Sequence, residues 1–253
     1  VIGTSNYADR SHLPRVKSHP KASLAAICGR NRVRAQEMAD KYAVPEVFTD
    51  YQEMIDSGNL DAVIVSTPDD LHYPMTMRAL DARLHVLCEK PLALNKIQAK
   101  EMHEKAEAVG VKHMICFTYR WAPPLRYLKQ LIDDGYIGRC QHCRFSYLAG
   151  YGRTPHYGWK FDRRRGLGAL GDLGSHMIDL ARWFVGDIAK VSATLNTFMQ
   201  RTGVDQTELD PANDAAFLAI EFDNGARGVF EFSSVAHLAG QEQHIRLYGK
   251  DGT

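Results

Sequence analysis

From Val1 to about Tyr119 the chain alternates strand-length apolar runs with amphipathic segments, and this alternation limits the fold more than any other feature. The runs Leu24–Cys28, Ala62–Ser66, His85–Cys88 and His113–Phe117 are largely continuous in apolar residues, as strands buried on both faces of a parallel sheet must be. Between the first two, Arg32–Tyr42 places Ala35, Met38, Ala39 and Tyr42 on one helical face, with Asn31 as its N-cap. Leu71–Ala82 and Lys96–Ala108 read as further helices. Strands joined by helical crossovers predict right-handed βαβ connections and an α/β, doubly wound parallel sheet.

Beyond Pro123-Pro124 the texture changes. Cys140–Ala149, Val191–Met199, Ala215–Phe222 and Gly228–Val235 alternate with period two, and Asp223-Asn224-Gly225 is a hairpin signal because Asn and Gly tolerate positive φ. A second domain is therefore expected, α+β with a large, mostly antiparallel open sheet. The boundary falls near residue 120, giving domains 1–119 and 120–253, and the full length of 253 residues suits two medium domains. Thirty-one Lys+Arg balance thirty Asp+Glu with no block of one sign, so no phosphate-backbone footprint is present and nucleic acid is not an expected partner. The apolar runs are far shorter than the roughly 20 residues of a membrane helix. Five cysteines is an odd number, and Cys28, Cys88 and Cys116 sit inside apolar runs, which suits a reducing cytoplasm. Cys140 and Cys143 lie three apart on a strand and so face opposite sides, which argues against a metal site there. Because the chain opens in the middle of a strand and stops after Gly252-Thr253, it is expected to continue at both ends.

Val1-Ile2-Gly3-Thr4-Ser5-Asn6-Tyr7-Ala8 has the form strand, Gly-x-Ser-x-x-Ala, helix. It resembles the phosphate loop of Rossmann folds, where small residues let backbone N–H groups and a helix N-terminus approach a pyrophosphate. Gly3, Ser5, Asn6 and Tyr7 are the candidate contacts. The next strand normally ends in an acid that binds the adenosine ribose of NAD, but here Gly29 stands there, followed by Arg30 and Asn31. Arg30 can pair with a 2′-phosphate, which favours NADP over NAD; the plainer alternative is a solvated arginine at a helix start. Thr67-Pro68 ends another strand at the same edge, and His72 is placed to reach the ribose or nicotinamide.

Glu89-Lys90-Pro91 ends the strand after that, so Lys90 emerges where open α/β sheets bind ligands. Beside a cationic nicotinamide in a partly dry cleft, a lysine's pKa falls and it can exchange protons near neutral pH. In the second half, the glycine-rich stretch from Gly166 to Gly174 leads into Ser175-His176. A helix starting near Asp172 would set Asp172 and His176, four apart, on one face, while the glycines let the loop pass close to a ligand.

Thr67-Pro68, Glu89-Lys90-Pro91 and Asp172-x-x-x-His176 together resemble the Gfo/Idh/MocA family of dehydrogenases, and the similarity runs along essentially the whole chain. The resemblance implies an NAD(P)-dependent oxidoreductase that moves hydride between nicotinamide and a hydroxyl-bearing carbon of a sugar or cyclitol. It implies a second domain that binds substrate and builds a homodimer or homotetramer. It assigns Lys90 to proton transfer, Asp172 and His176 to the reacting polyol, and Glu89, Arg120 and Trp159 to the neighbourhood of the cofactor. Arg153, His156 and Tyr157 fall in a segment that varies with substrate. Ser5, Asp69 and Thr118 depart from the family's usual glycine and asparagines. An NAD-dependent glycosidase of the same architecture and a catalytically silent ligand sensor are the competing readings.

Overall fold

The computed structural model describes residues 1–204, 209–237 and 240–253. The chain divides into two compact units, Val1–Cys116 and Phe117–Thr253.

In the first unit a π-helical turn (Ala8–His12) runs into α1 (Leu13–Ser18). There follow β1 (Ala26–Cys28), α2 (Arg32–Tyr42), β2 (Glu46–Phe48), α3 (Tyr51–Asp56) and β3 (Ala62–Val65). The unit closes with α4 (His72–Asp81), β4 (His85–Cys88), α5 (Lys96–Val109) and β5 (His113–Ile115). β1 pairs with β2, and β3 with β4 and β5, all in parallel. Ile2 joins the two ladders by bridging Cys28 on one side and Val65 on the other, also in parallel. The spatial order is thus β2, β1, the Val1-Ile2 segment, β3, β4, β5, the doubly wound arrangement expected from the alternation of strands and helices. Helix ends follow the local chemistry: Asn31, Asp50 and Asn95 each accept a hydrogen bond from the first turn of α2, α3 and α5. β2 and α3 were not anticipated, being three and six residues long and too short for a periodic signal.

The second unit contains α6 (Pro123–Asp133), β6 (Cys140–Ala149), α7 (Ser175–Phe184), β7 (Ile188–Asn196), β8 (Ala215–Phe222), β9 (Arg227–Ser233) and β10 (Gln241–Gly249). The five strands form one sheet in the order β10-β6-β9-β8-β7, antiparallel except for the pair β6/β9. The hairpin at Asp223-Asn224-Gly225 joins β8 to β9, with Gly225 at φ 87° and Asn224 Oδ1 accepting from Ala226 N. One face of the sheet is buried: Phe145, Tyr147, Leu218, Ile220, Phe230 and Phe232 meet Met177, Leu180 and Phe184 of α7. β10 was missed because glutamine, histidine and arginine interrupt its alternation.

Two expectations change here. Asp172 does not begin a regular α-helix; Leu170–Gly174 is a π-helical turn that leads into α7. The glycines before α7 serve close packing. A Cβ at Gly174 would lie 2.7 Å from the Phe232 ring, and Gly168, at φ +64°, would press on the backbone of Asn213. Cys140 and Cys143 are free thiols on β6, and burial pushes Cys143 up to about 12.

Candidate functional site

The strand ends of the first unit build a cradle around Gly3. Gly3 N donates to Cys28 O and Ser66 N to Ile2 O, each at 2.8 Å, which fixes the loop between two strand ends. At φ +116° Gly3 suits only glycine, and a Cβ there would run into the Ser66 carbonyl. Ser5 Oγ accepts from Ala8 N at 3.0 Å and lies 3.2 Å from Ser66 Oγ, so it caps the helical turn. The Thr67 hydroxyl is buried with no hydrogen-bond partner among the described residues. A glycine with no room for a side chain, a capped helix start and an unsatisfied buried hydroxyl fit the phosphates and ribose of a dinucleotide.

Arg30 is exposed, while Asn31 Oδ1 is committed to Arg34 N as the N-cap of α2. Sequence reasoning passed over Arg34. Its Nε donates to Thr4 O at 2.7 Å and its Nη2 to Asn6 Oδ1 at 3.0 Å, bracing the loop from α2. The absence of the ribose-binding acid also has a steric cause, because a Cβ at Gly29 would collide with the Thr4 side chain. Tyr7 is 43% exposed and packs edge-on to His12, with ring centroids 5.3 Å apart.

His72 departs from its expected role. It is fully buried, with Nδ1 2.8 Å from Pro91 O and Nε2 3.0 Å from Thr67 O, so its ring is wedged between two strand-end loops, the neutral form donating to one of the two carbonyls, and does not face a ligand. Burial lowers its pKa, while the two carbonyls and Glu89 act in the opposite sense. Glu89 is also turned inward: Oε1 meets His12 Nε2 at 2.8 Å, and Lys90 N donates to Oε2 at 3.3 Å. Its carboxylate is therefore committed to His12 and the Lys90 amide. Burial pushes the Glu89 pKa up, but hydrogen bonds and charge from His12, with Cys116 and Lys90, carry it below the usual carboxylate value. Lys90 is half-buried at the end of β4 and joined to Pro91 by a cis peptide.

In the second unit Asp172 is the centre of a charged cluster that the sequence did not reveal. Tyr151 Oη donates to Asp172 Oδ2 at 2.6 Å and Lys160 Nζ at 2.7 Å, and the Lys160 ammonium lies 5.7 Å from the Tyr151 and Trp159 ring centroids. Burial and the Asp172 charge raise the Tyr151 pKa, so its proton stays in place. Buried His176 stacks on Tyr119 at 4.4 Å and meets Phe117 edge-on. The Tyr119 hydroxyl lies 3.0 Å from that of Tyr147 and accepts from Gln243, while Tyr147 donates to Gln241. These partners come from β6 and β10, far apart in sequence. Asp172 and His176 thus share one helical segment, Asp172 held by Tyr151 and Lys160 and His176 stacked on Tyr119, with Tyr147 between the two groups.

Arg120 is engaged elsewhere than at a cofactor. It makes a bidentate pair with Asp179 of α7, both bonds 2.7 Å, and lies over Trp183. Trp159 opens a short helical turn, Tyr157 is half-buried, and Arg153 and His156 are exposed. The loop carrying Tyr151 is held by Arg201, which donates to Gly152 O, stacks 3.8 Å over Phe161 and pairs at 2.7 Å with fully buried Asp214.

A dinucleotide cradle on a doubly wound sheet, followed by an open sheet bearing a carboxylate, lysine, tyrosine and histidine cluster, defines the two-domain class of nicotinamide-binding oxidoreductases. Residues 1–117 match the oxidoreductase family with an NAD-binding Rossmann fold, and residues 125–253 match the GFO/IDH/MocA C-terminal domain. The chain belongs to the Gfo/Idh/MocA family. It is 32% identical to the D-glucoside 3-dehydrogenase of Escherichia coli over 97% of this chain and 72% of that protein. It is 29% identical to levoglucosan dehydrogenase of Pseudarthrobacter phenanthrenivorans over 90% of this chain. The chain spans 63% of the length of that relative. The structure of a levoglucosan dehydrogenase in complex with NADH superimposes with a TM-score of 0.90 over 98% of this chain and 70% of the other. An oxidoreductase domain protein from Kribbella flavida, 33% identical, gives 0.88 over 98% of this chain and 70% of that one. No described helix is long and apolar enough to cross a membrane.

Because the Glu89 pKa is depressed in the folded state, its ionised form adds stability above the unfolded carboxylate value, and that stability is lost as pH falls through the folded value. Glu89→Gln is therefore expected to lower the urea midpoint at pH 7. The gap from wild type should shrink as pH falls below about 4, and a gap independent of pH would contradict the ionised assignment.

Proposed function

We propose that the chain is the catalytic part of an NAD(P)-dependent dehydrogenase acting on a secondary alcohol of a sugar or cyclitol. The reading is carried by Lys90, at the carboxyl end of β4 on the sheet edge that also bears the Gly3 and Thr67 cradle. Relatives named for levoglucosan, D-glucosides and myo-inositol support the substrate class. The bound nicotinamide supplies hydride transfer. Lys90 Nζ takes the proton from the reacting hydroxyl in oxidation and returns it in reduction. The Asp172 carboxylate, fixed by Tyr151 and Lys160, accepts a hydrogen bond from a polyol hydroxyl, and His176 orients a second hydroxyl or shares the proton. Arg153 and Tyr157 contribute to substrate choice, and the family resemblance assigns Trp159 to cofactor binding.

On the adenosine side, Gly29 leaves no carboxylate to repel a 2′-phosphate, and Arg30 offers a counter-charge. NADP is therefore accepted alongside NAD, and preferred. The outer face of the five-stranded sheet presents Phe217, 43% exposed, and Val229, 58% exposed, on adjacent strands, a surface suited to a second copy of the chain.

Lys90→Ala is expected to keep NADH binding while lowering turnover by about three orders of magnitude or more, since the lysine acts chiefly in the transition state. Stopped-flow hydride transfer on a panel of levoglucosan, methyl glucosides and myo-inositol reads this directly. Unchanged turnover removes Lys90 from the chemistry. Arg30→Ala should weaken NADPH more than NADH in a fluorescence titration, and equal losses would end the preference for NADP. Phe217→Asp should reduce the solution mass seen by light scattering to that of a monomer, whereas an unchanged mass places any interface elsewhere.

A further inference from the structure

Both residues that flank Lys90 are gripped by buried histidines. On one side His12 Nε2 meets the Glu89 carboxylate at 2.8 Å; on the other, His72 Nδ1 meets the Pro91 carbonyl at 2.8 Å. His12 is 5% exposed and His72 fully buried. They belong to different elements, His12 closing the helical turn that follows the Gly3 loop and His72 opening α4 after Thr67-Pro68.

We propose that His12 and His72 are the positioning residues of the lysine, fixing the backbone on either side of it so that its ammonium is delivered to one place. This rests on the reading of Lys90 as the proton-transfer group. A lysine has a flexible four-carbon stem, and placing its nitrogen within about 0.5 Å of a productive geometry requires at least that the stem leave from a fixed backbone. Short β4 supplies ladder hydrogen bonds only as far as Cys116 N to Cys88 O and Glu89 N to Val65 O. Beyond that point the two imidazoles take over.

The choice of imidazole supports the assignment. Burying a polar ring costs free energy unless its nitrogens are satisfied, so an apolar side chain would fill either space more cheaply if filling were the only requirement. Each ring also touches the cradle: His72 Nε2 lies 3.0 Å from Thr67 O, and His12 packs edge-on to Tyr7 with ring centroids 5.3 Å apart. The cradle loops and the peptide that carries the lysine therefore pack against each other through the two rings.

The His12, Glu89 and Cys116 donor atoms lie within 4.8 Å of one another, a spacing that a metal ion could also use. His12 and Glu89 are already spent on each other, and burial holds the Cys116 thiol up at about 12. The trio is better described as a hydrogen-bond network than as a metal site.

The test compares His12→Leu, His12→Gln, His72→Leu and His72→Gln with Lys90→Ala in the full chain, using NADH binding and whichever polyol of the panel the wild type oxidises. The leucine variants are expected to bind NADH within about threefold of wild type and to lose ten- to a hundredfold in kcat with little change in KM, the pattern of a misplaced transition-state group. His12→Gln keeps a donor toward Glu89 and should recover most of kcat. His72→Gln can set its amide nitrogen where Nε2 faces Thr67 O but not where Nδ1 faces Pro91 O, and about a tenfold loss in kcat is expected of it. Wild-type kcat in the histidine variants, with Lys90→Ala inactive, overturns the proposal alone; wild-type kcat in Lys90→Ala overturns the reading of the lysine and the proposal with it. If the leucine variants do not fold, the glutamine variants decide: unchanged kcat in His72→Gln overturns the proposal.

Discussion

The pairing of Ile2 with two strands at once is the constraint on which the first unit depends. Its amide donates to Ile64 O and its carbonyl accepts from Ser66 N, while Val1 O and Gly3 N pair with Cys28, so two ladders become one sheet around it. Every backbone group in this dry interior must find a partner, and the parallel ladder provides one. The ladder ends at Gly3, Cys28 and Ser66 together, which sets the turning loops side by side at one edge. Phosphate cradle, Thr67 hydroxyl and Lys90 all follow from where those strands stop.

In the second unit the corresponding constraint is the closeness of α7 to the sheet. Gly174 lets the helix entry lie against Phe232, and Met177, Leu180 and Phe184 bury the rest of its face. A helix seated this closely brings Asp172 and His176 to the same end of the sheet. What surrounds them is set by strands and loops from elsewhere: Tyr151 and Lys160 for the carboxylate, Tyr119 and Tyr147 beside the imidazole. The Arg120–Asp179 and Arg201–Asp214 pairs hold that frame, and the second, fully buried, is strongly disruptive to break because a lone charge is left in low dielectric.

Histidines show how the same residue type serves opposite ends. His72 looked like a ligand contact because it follows Thr67-Pro68 at the binding edge of the sheet. Buried, it is wedged between two carbonyls and donates to one of them. His12 carried no signal at all in the sequence, since its partner Glu89 lies far along the chain. A hydrogen bond between distant residues leaves no period or spacing to read.

The sequence alone determined the alternation of strands and helices, the change to period two after Pro123-Pro124, the helix caps, the hairpin at Asn224-Gly225 and the candidacy of Lys90, Asp172 and His176. These are local properties, written in neighbouring residues by side-chain periodicity and turn chemistry. Tertiary structure decided what each polar group spends its hydrogen bonds on. It assigned Arg120 to Asp179, His72 to the gap between two carbonyls, Glu89 to His12 and the glycines before α7 to packing, and it gathered Arg34, Tyr151, Lys160 and Tyr147 around the candidate residues. The reason is that burial makes an unsatisfied polar group expensive, and the partner that satisfies it is whichever residue the folded chain brings within about 3 Å, not its neighbour in sequence.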